Sequence, residues 1–243
     1  MTSPRTAMVL AAGLGKRMAP ITDTMPKPLV KVAGKRLIDW GLDALENAGV
    51  ERAIVNTHYL ADQLDMHLAT RKTPAILVSD ERKELLDSAG GIINALPQIG
   101  SDPFFVINAD TFWIDGGRPN LVLLAEGWDD ARMDILLMIA AKGQATGYDG
   151  RGDFNMSAEG RLRRLEAGET SPYIYAGAAI VHPRIFAGAP AGKASLNRYF
   201  DAAIAADRLY GLPMNGLWLT VGTPGAIGEA EAAIATAGQG IHG

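Results

Sequence analysis

The chain has 243 residues, 48% of them hydrophobic, and a formal net charge of -4. This length accommodates one α/β domain with a full hydrophobic core. The negative net charge argues against a nucleic-acid partner, because a protein binds nucleic-acid phosphates through a positively charged surface. The absence of cysteine excludes disulfides, thiolate zinc sites and a cysteine nucleophile. No apolar run is long enough to span a membrane, so we expect a cytoplasmic protein with no membrane partner.

The first half of the chain predicts strands and helices in alternation. The continuous apolar run from Thr6 to Ala12 is typical of a parallel strand that is buried on both faces. The other predicted elements of this half are strands over residues 52–56, 75–79 and 104–108, and helices over residues 37–48 and 61–70 and from Gly90 onward. Such alternation with short turns is typical of a parallel sheet with right-handed crossovers.

The second half is richer in strands. Its predicted elements are strands over residues 133–141 and 173–181, a hairpin that turns at Glu159-Gly160, and helices over residues 196–206 and 224–236. Residues 209–214 and 217–221 are predicted to pair with each other as the last two strands, and residues 238–243 to be disordered. We therefore expect one α/β domain over residues 1–243. Its Rossmann-like central sheet is mixed, mostly parallel and flanked by helices, with a small β-rich insertion.

The loop that follows the first predicted strand carries the strongest functional signal. It contains Gly13, Gly15, the pair Lys16-Arg17 and, farther on, Pro26-Lys27-Pro28. Glycines let backbone N–H groups approach an anion, and cations neutralise its charge. The loop lacks the Walker A pattern, and Met18 stands where a dinucleotide fingerprint needs its third glycine. A tight turn with solvated cations is the alternative, but the order of residues after Gly15 favours phosphate binding.

The segment Leu10–Val30, LAAGLGKRMAPITDTMPKPLV, resembles the signature of the sugar-1-phosphate nucleotidylyltransferases. Later segments also resemble sequences of this family, namely Pro28–Ile38, Asp87–Ile92, Asn108–Asp110, Tyr175–Gly177 and Trp218–Pro224. The resemblance implies the nucleotide-diphospho-sugar transferase fold, with residues 1–115 mainly binding nucleotide and residues 116–243 mainly binding sugar. Within the family, the short chain and several segments are most similar to the N-acetylmuramate-1-phosphate uridylyltransferases.

The reaction implied by the resemblance is attack of a sugar 1-phosphate on the α-phosphorus of a nucleoside triphosphate, with pyrophosphate leaving. The substrates expected first are UTP and N-acetylmuramate 1-phosphate, whose product UDP-N-acetylmuramate belongs to peptidoglycan recycling. Glucose, mannose or heptose 1-phosphate and other nucleotides are alternatives. A regulatory relative that binds a nucleotide sugar without catalysis is a further alternative. The oligomeric state stays open.

The resemblance also implies residue roles. Arg17 is expected to hold the β- and γ-phosphates, and Lys27 to lie between the α-phosphate and the sugar phosphate. Asp87 stands where the family usually has glutamate, one methylene longer. The residues expected to bind the nucleotide are Leu10, Ala11, Ala12, Gly13, Gly15, Lys16, Arg17, Asp87, Ala89 and Gly90. The residues expected to bind the sugar are Asn108, Asp153, Asn155, Glu166, Tyr175, Gly177 and Asn197, although Glu166 and Asn197 are equally compatible with surface or capping roles.

Asp110 is the expected catalytic carboxylate and ligand of Mg²⁺, since it follows a predicted buried strand, where open α/β sheets place their ligands. A turn or N-cap aspartate is the alternative. Much of the family has a second metal-binding aspartate where this chain has Thr220. Three explanations stand: Asp110 binds the metal with phosphates and water alone, another carboxylate substitutes, or the chain is a weakened relative. We favour the first.

Overall fold

The structure, a computed structural model, describes residues 3–239. The elements of the first half are β1 (Thr6–Leu10), β2 (Lys31–Val32), β3 (Lys35–Arg36), α1 (Leu37–Asn47), β4 (Arg52–Thr57), α2 (Ala61–Leu68), β5 (Ala75–Asp80), α3 (Asp87–Ile99), β6 (Phe104–Asn108) and β7 (Thr111–Asp115). Those of the second half are α4 (Asn120–Gly127), β8 (Ile135–Ala141), β9 (Ala145–Thr146), β10 (Phe154–Met156), β11 (Leu162–Arg164), β12 (Tyr173–Val181), α5 (Asn197–Ala205), β13 (Leu209–Pro213), β14 (Gly216–Thr220) and α6 (Gly225–Gln239).

A nine-stranded sheet forms the centre of the molecule. Its order is β11-β10-β12-β6-β1-β4-β5, and β8 pairs with both β12 and β13. β6, β1, β4 and β5 are parallel, whereas β12 runs antiparallel to β6. The carboxyl ends of β1, β4 and β6 therefore meet at one edge, which is where open α/β sheets bind ligands. This sheet, flanked by helices, confirms the predicted mixed, mostly parallel α/β class.

Helices cover both faces of the sheet, which explains the continuous apolar run in β1. Ala7 and Val9 pack on the side of α1, α2 and α4, while Met8 packs on the side of α3 and α5. A third cluster joins Met18 and Val30 of the glycine loop to β14 and α6. The loop is thereby anchored to the second half of the chain. None of the helices within residues 3–239 has the length and hydropathy that crossing a bilayer would require.

The predicted pairing of the last two strands is wrong. β13 pairs in parallel with β8 in the main sheet, whereas β14 lies between β7 and β9 in a separate three-stranded sheet. The two strands diverge at Asn215, whose backbone is held on both sides by the side chain of Asn120, with distances of 2.7 and 2.8 Å. Disorder was predicted from residue 238, but α6 continues through Gln239; residues 240–243 lie outside the described part of the chain.

A β-bulge in β12 brings its backbone against the end of β6. The register with β8 shifts between Tyr175 and Ala179, and Gly177 within this bulge has a φ of 78°. A Cβ atom at Gly177 would collide with Oγ1 of Thr111 and lie 3.3 Å from Cβ of Asn108. Glycine is therefore required here both for backbone conformation and for close packing.

We predict that Gly177→Ala lowers the free energy of unfolding by about 2 kcal/mol or more, because it combines a left-handed backbone with a steric clash. The matched control is Gly228→Ala in α6, where an added Cβ meets nothing within 4 Å. This control should gain up to about 1 kcal/mol from helix propensity. Urea denaturation of both variants measures the difference, and equal midpoints would contradict the packing described for Gly177.

Candidate active site

A cavity of about 490 Å³ lies at the carboxyl ends of the parallel strands. Most of its wall comes from the glycine loop, the start of α3 and the turn after β6, with Asn56 from β4, but Lys193 and Gly222 come from the second half of the chain. The predicted residues among its lining are Leu10, Ala11, Ala12, Gly13, Gly15, Arg17, Lys27, Asp87, Asn108 and Asp110. Its volume falls in the range of pockets for small ligands.

Gly15 sets the shape of the loop that borders this cavity. Its φ is 63°, and an added Cβ would lie 3.0 Å from both Cβ of Lys27 and Cγ2 of Thr22. The hydroxyl of Thr22 donates to the Gly15 carbonyl at 3.0 Å, and the Met18 N–H donates to the same carbonyl at 2.8 Å. Gly15 is thus the point at which the two ends of the loop approach each other. A side chain there would force Thr22 or Lys27 to shift.

Lys27 is a buried cation that faces a carboxylate. Its residue is only 8% exposed, and its Nζ donates to Oδ2 of Asp110 at 2.7 Å. Pro26 enters the turn in an extended conformation, and Pro28 follows directly, so the backbone around Lys27 is restricted. Asp110 is fixed in turn, because its carbonyl accepts a hydrogen bond from the Val221 N–H at 3.3 Å. A buried ammonium requires an anion beside it.

Arg17 supplies a second positive charge to the same cavity. It is exposed, and its guanidinium lies beside Gly222, where an added Cβ would be 3.4 Å from Nη1. The guanidinium presents a fork of donors that matches phosphate oxygens. Lys16, which was also predicted to bind nucleotide, is exposed and lies outside the cavity lining.

Asp87 begins α3 at the other side of the cavity, with a φ of 63°. Its Oδ1 accepts a hydrogen bond from the Ser88 N–H at 2.6 Å, and both residues line the cavity. Ala89 and Gly90 lie behind them. Their N–H groups donate to the Ala194 carbonyl at 2.8 and 3.0 Å, so they hold a loop of the second half in place and stand outside the lining.

Lys193 is a cavity residue that sequence reasoning missed. Its loop is fixed on α3 by the bond from Ala194 N–H to the Leu86 carbonyl at 3.0 Å and from Leu196 N–H to Oγ of Ser88 at 2.8 Å. No motif marks Lys193 in the sequence. The packing of this loop against the start of α3 brings Lys193 to the cavity.

The predicted sugar-binding residues occupy three places. Asn108 lines the cavity, with Gly177 beside it. Asp153 accepts the backbone N–H of Tyr175 at 2.9 Å, and the Tyr175 hydroxyl is buried without a partner among the described residues. Burial raises the pKa of Tyr175, so this hydroxyl is a neutral donor. The remaining three, Asn155, Glu166 and Asn197, contact other protein groups.

Glu169, which the sequence did not single out, organises two of those three. Its Oε2 accepts from Nδ2 of Asn155 at 3.1 Å and from the Glu166 N–H at 2.8 Å. The Arg163 guanidinium bonded to it lowers the pKa of Glu169 to about 2. Asn197 accepts from Nη2 of Arg164 at 3.0 Å. These residues lie outside the cavity lining, so their predicted sugar contacts stay predictions.

Comparison with known proteins identifies the family. Residues 6–237 match the sequence model of the Nucleotidyl transferase family. The chain belongs to this family. It is 44% identical to the N-acetylmuramate alpha-1-phosphate uridylyltransferase of Caulobacter vibrioides, over 97% of this chain and 99% of the relative. It is 34% identical to the protein of the same description from Neisseria meningitidis serogroup B, over 93% and 96%.

The fold of this nucleotidyltransferase is also found among solved structures. The inositol-1-phosphate CTP transferase from T. maritima superposes with a TM-score of 0.76 at 19% identity, over 96% of this chain and 97% of that one. Its likeness establishes the fold. The family match and the two uridylyltransferase relatives confirm the sugar-1-phosphate nucleotidyltransferase resemblance read from the motifs.

Nucleotidyltransferases of this family generally use a divalent metal ion. Within residues 3–239, no group of three or more histidine, cysteine or acidic side chains is placed to hold one. Asp110 nevertheless offers a carboxylate in the cavity, while Thr220 pairs with Thr111 just before Val221. One carboxylate suits an ion that also takes phosphate oxygens and keeps several waters. The residues present therefore fit a metal bound chiefly through the nucleotide.

Proposed function

We propose that this chain transfers the UMP group of UTP to N-acetylmuramate 1-phosphate, giving UDP-N-acetylmuramate and pyrophosphate. The observation that carries the proposal is the bond between the buried ammonium of Lys27 and the partly exposed carboxylate of Asp110, in a cavity that Arg17 also lines. The choice of substrates rests on the two relatives that this chain matches over nearly its whole length. The proposed product belongs to cell-wall sugar metabolism, in peptidoglycan recycling.

Catalysis in this proposal consists of holding two polyanions in line. Arg17 binds the β- and γ-phosphates of the leaving pyrophosphate, since its fork suits bidentate contact. Lys27 lies between the α-phosphate and the incoming sugar phosphate and neutralises charge at both. Of the residues that the structure describes, those lining the cavity include no histidine and no cysteine. In this proposal the sugar phosphate oxygen attacks the α-phosphorus directly, pyrophosphate leaves, and positioning supplies most of the rate.

We propose Mg²⁺ as the divalent ion, with Asp110 as its protein ligand. When bound, Mg²⁺ neutralises phosphate charge during the transfer. Asp110 would then contact both the ion and Lys27, and Thr220 would contribute no charge. This is the first of the three explanations for Thr220 given above.

The two halves of the chain have different proposed roles. Residues 1–115 bind the nucleotide through the glycine loop and Asp87. Residues 116–243 bind the sugar, and Lys193 adds a contact from this half to the nucleotide. The sugar-binding residues proposed in the second half are Asp153, Asn155, Glu166, Tyr175, Gly177 and Asn197, with Asn108 at the border.

A substrate panel tests the proposed reaction. Four nucleoside triphosphates are combined with N-acetylmuramate, N-acetylglucosamine, glucose, mannose and heptose 1-phosphates, and pyrophosphate release is measured with and without Mg²⁺. We expect the highest kcat/KM for UTP with N-acetylmuramate 1-phosphate, and no release without the metal. Higher kcat/KM with another sugar would refute the substrate, and no release with any pair would favour the regulatory relative.

Substitutions at Asp110 and Thr220 test the single-carboxylate proposal. We predict that Asp110→Ala lowers kcat at least about a hundredfold, because it removes the carboxylate proposed to bind the metal. Thr220→Ala should lower kcat less than about threefold, because no charge is lost. Melting temperatures serve as the folding control, since Asp110→Ala also leaves Lys27 without its partner. Equal losses of kcat in two folded variants would show that Thr220 shares the role of Asp110.

A further inference from the structure

A buried chain of hydrogen bonds runs from the glycine loop to the strand at the sheet edge. The Ala11 N–H donates to Oδ1 of Asn56 at 2.7 Å, and Nδ2 of Asn56 donates to Oε1 of Glu81 at 2.7 Å. The other carboxylate oxygen, Oε2 of Glu81, accepts from the Leu86 N–H at 3.1 Å. The chain thus joins the carboxyl ends of β1, β4 and β5 to the start of α3. Neither Asn56 nor Glu81 has a role in the mechanism above.

Burial makes this arrangement costly unless every polar group is paired. Asn56 is 3% exposed and Glu81 is 2% exposed, and the described hydrogen-bond partners of the Glu81 carboxylate are the two N–H groups just named. A buried carboxylate without a cation is retained only where several donors hold it. Each donor in this series of hydrogen bonds faces an acceptor. In the natural pair, position 56 therefore offers an acceptor to Ala11 and a donor to position 81, and position 81 offers two acceptors.

The neighbouring helix is adapted to the same pair. Gly91 lies on α3, and a Cβ atom there would be 2.6 Å from both Nδ2 of Asn56 and Oε1 of Glu81. Glycine lowers helix stability, and here it makes room for the pair. Gly91 is therefore explained by the hydrogen-bonded chain.

The peptide between Leu10 and Ala11 is held from both sides as a result. Asn56 binds its N–H, and the Ala109 N–H donates to its carbonyl at 3.1 Å. This peptide lies at the first turn of the glycine loop, and Leu10, Ala11 and Asn56 all line the cavity. The Ala11 N–H consequently points into the protein and is unavailable to a ligand.

We infer that Asn56 and Glu81 are positioning residues for nucleotide binding: they fix the peptide from which the glycine loop starts. The inference rests on the proposed function, in which this loop binds the nucleoside triphosphate. It assigns the pair an effect on nucleotide affinity beyond its contribution to stability. The sugar phosphate, bound mainly by the second half, should be affected little.

The donors of one side chain face the acceptors of the other, so exchanging the amide and the carboxylate between positions 56 and 81 tests the inference. Asn56→Asp alone places a carboxylate next to the carboxylate of Glu81. Glu81→Gln alone places an amide N–H donor next to the N–H of either Asn56 or Leu86. The double variant restores every bond: the carboxylate introduced at position 56 accepts from both Ala11 N–H and the new amide, whose oxygen accepts from Leu86 N–H. Ser79→Ala is the control, since Ser79 is buried on β5 and accepts from Asn94 at 3.0 Å outside the cavity lining.

UTP affinity is measured by calorimetry, and KM and kcat by pyrophosphate release, with melting temperatures throughout. Each single variant should raise the UTP Kd and KM at least about tenfold. Its kcat and its KM for the sugar phosphate should change less than about threefold. The double variant should return to within about threefold of the natural chain. Ser79→Ala should lower the melting temperature and leave the UTP KM unchanged.

Two results would overturn the inference. In the first, the single variants lose melting temperature while their UTP affinity is unchanged, which would mean a structural role alone. In the second, the double variant shows the sum of both losses in affinity. Turnover of a different nucleotide by the natural chain would refute only the proposed substrates, and the series is then run with that nucleotide. A natural chain that binds no nucleoside triphosphate would refute both proposals.

Discussion

A buried ammonium that must face an anion is the constraint on which the site depends. Lys27 is held by Asp110 at 2.7 Å, and the two residues come from segments 83 positions apart in the sequence. Their contact requires that the glycine loop folds back at Gly15 and that β6 ends beside β1. The same contact leaves the carboxylate and the ammonium at the wall of one cavity. A phosphate that enters this cavity therefore meets a cation whose desolvation has already occurred on folding.

Local charge in this protein differs from its overall charge. The chain carries a formal net charge of -4, yet Arg17, Lys27 and Lys193 all line the cavity. Concentrated positive charge in a concave site attracts polyanions even when the whole molecule is acidic. Lys193 comes from the second half of the chain, so the positive charge of the cavity comes from both halves. The bonds from Ala89 and Gly90 to Ala194 hold these halves together beside the cavity.

The sequence predicted those features that depend on local pattern. The apolar run in β1 and the helical period of α1 correspond to elements in the structure, and the glycine loop lies at the predicted edge. The separation of β13 from β14 was missed, because their partners β8 and β7, and the Asn120 side chain that holds Asn215 between them, lie far away in the sequence. Lys193 and the Asn56–Glu81 pair were missed for the same reason. Their roles arise from contacts between distant segments and carry no periodic or motif signal.

In the proposed reaction the nucleotidyl group passes directly from the nucleoside triphosphate to the sugar phosphate, without a covalent enzyme intermediate. The stereochemistry at the α-phosphorus tests it most directly. UTP made chiral there by a sulfur substituent is converted with N-acetylmuramate 1-phosphate, and the configuration of the sugar nucleotide is determined by phosphorus NMR. A single in-line displacement predicts inversion. Retention would require two successive displacements, the first by a nucleophile of the enzyme. It would therefore contradict direct attack by the sugar phosphate.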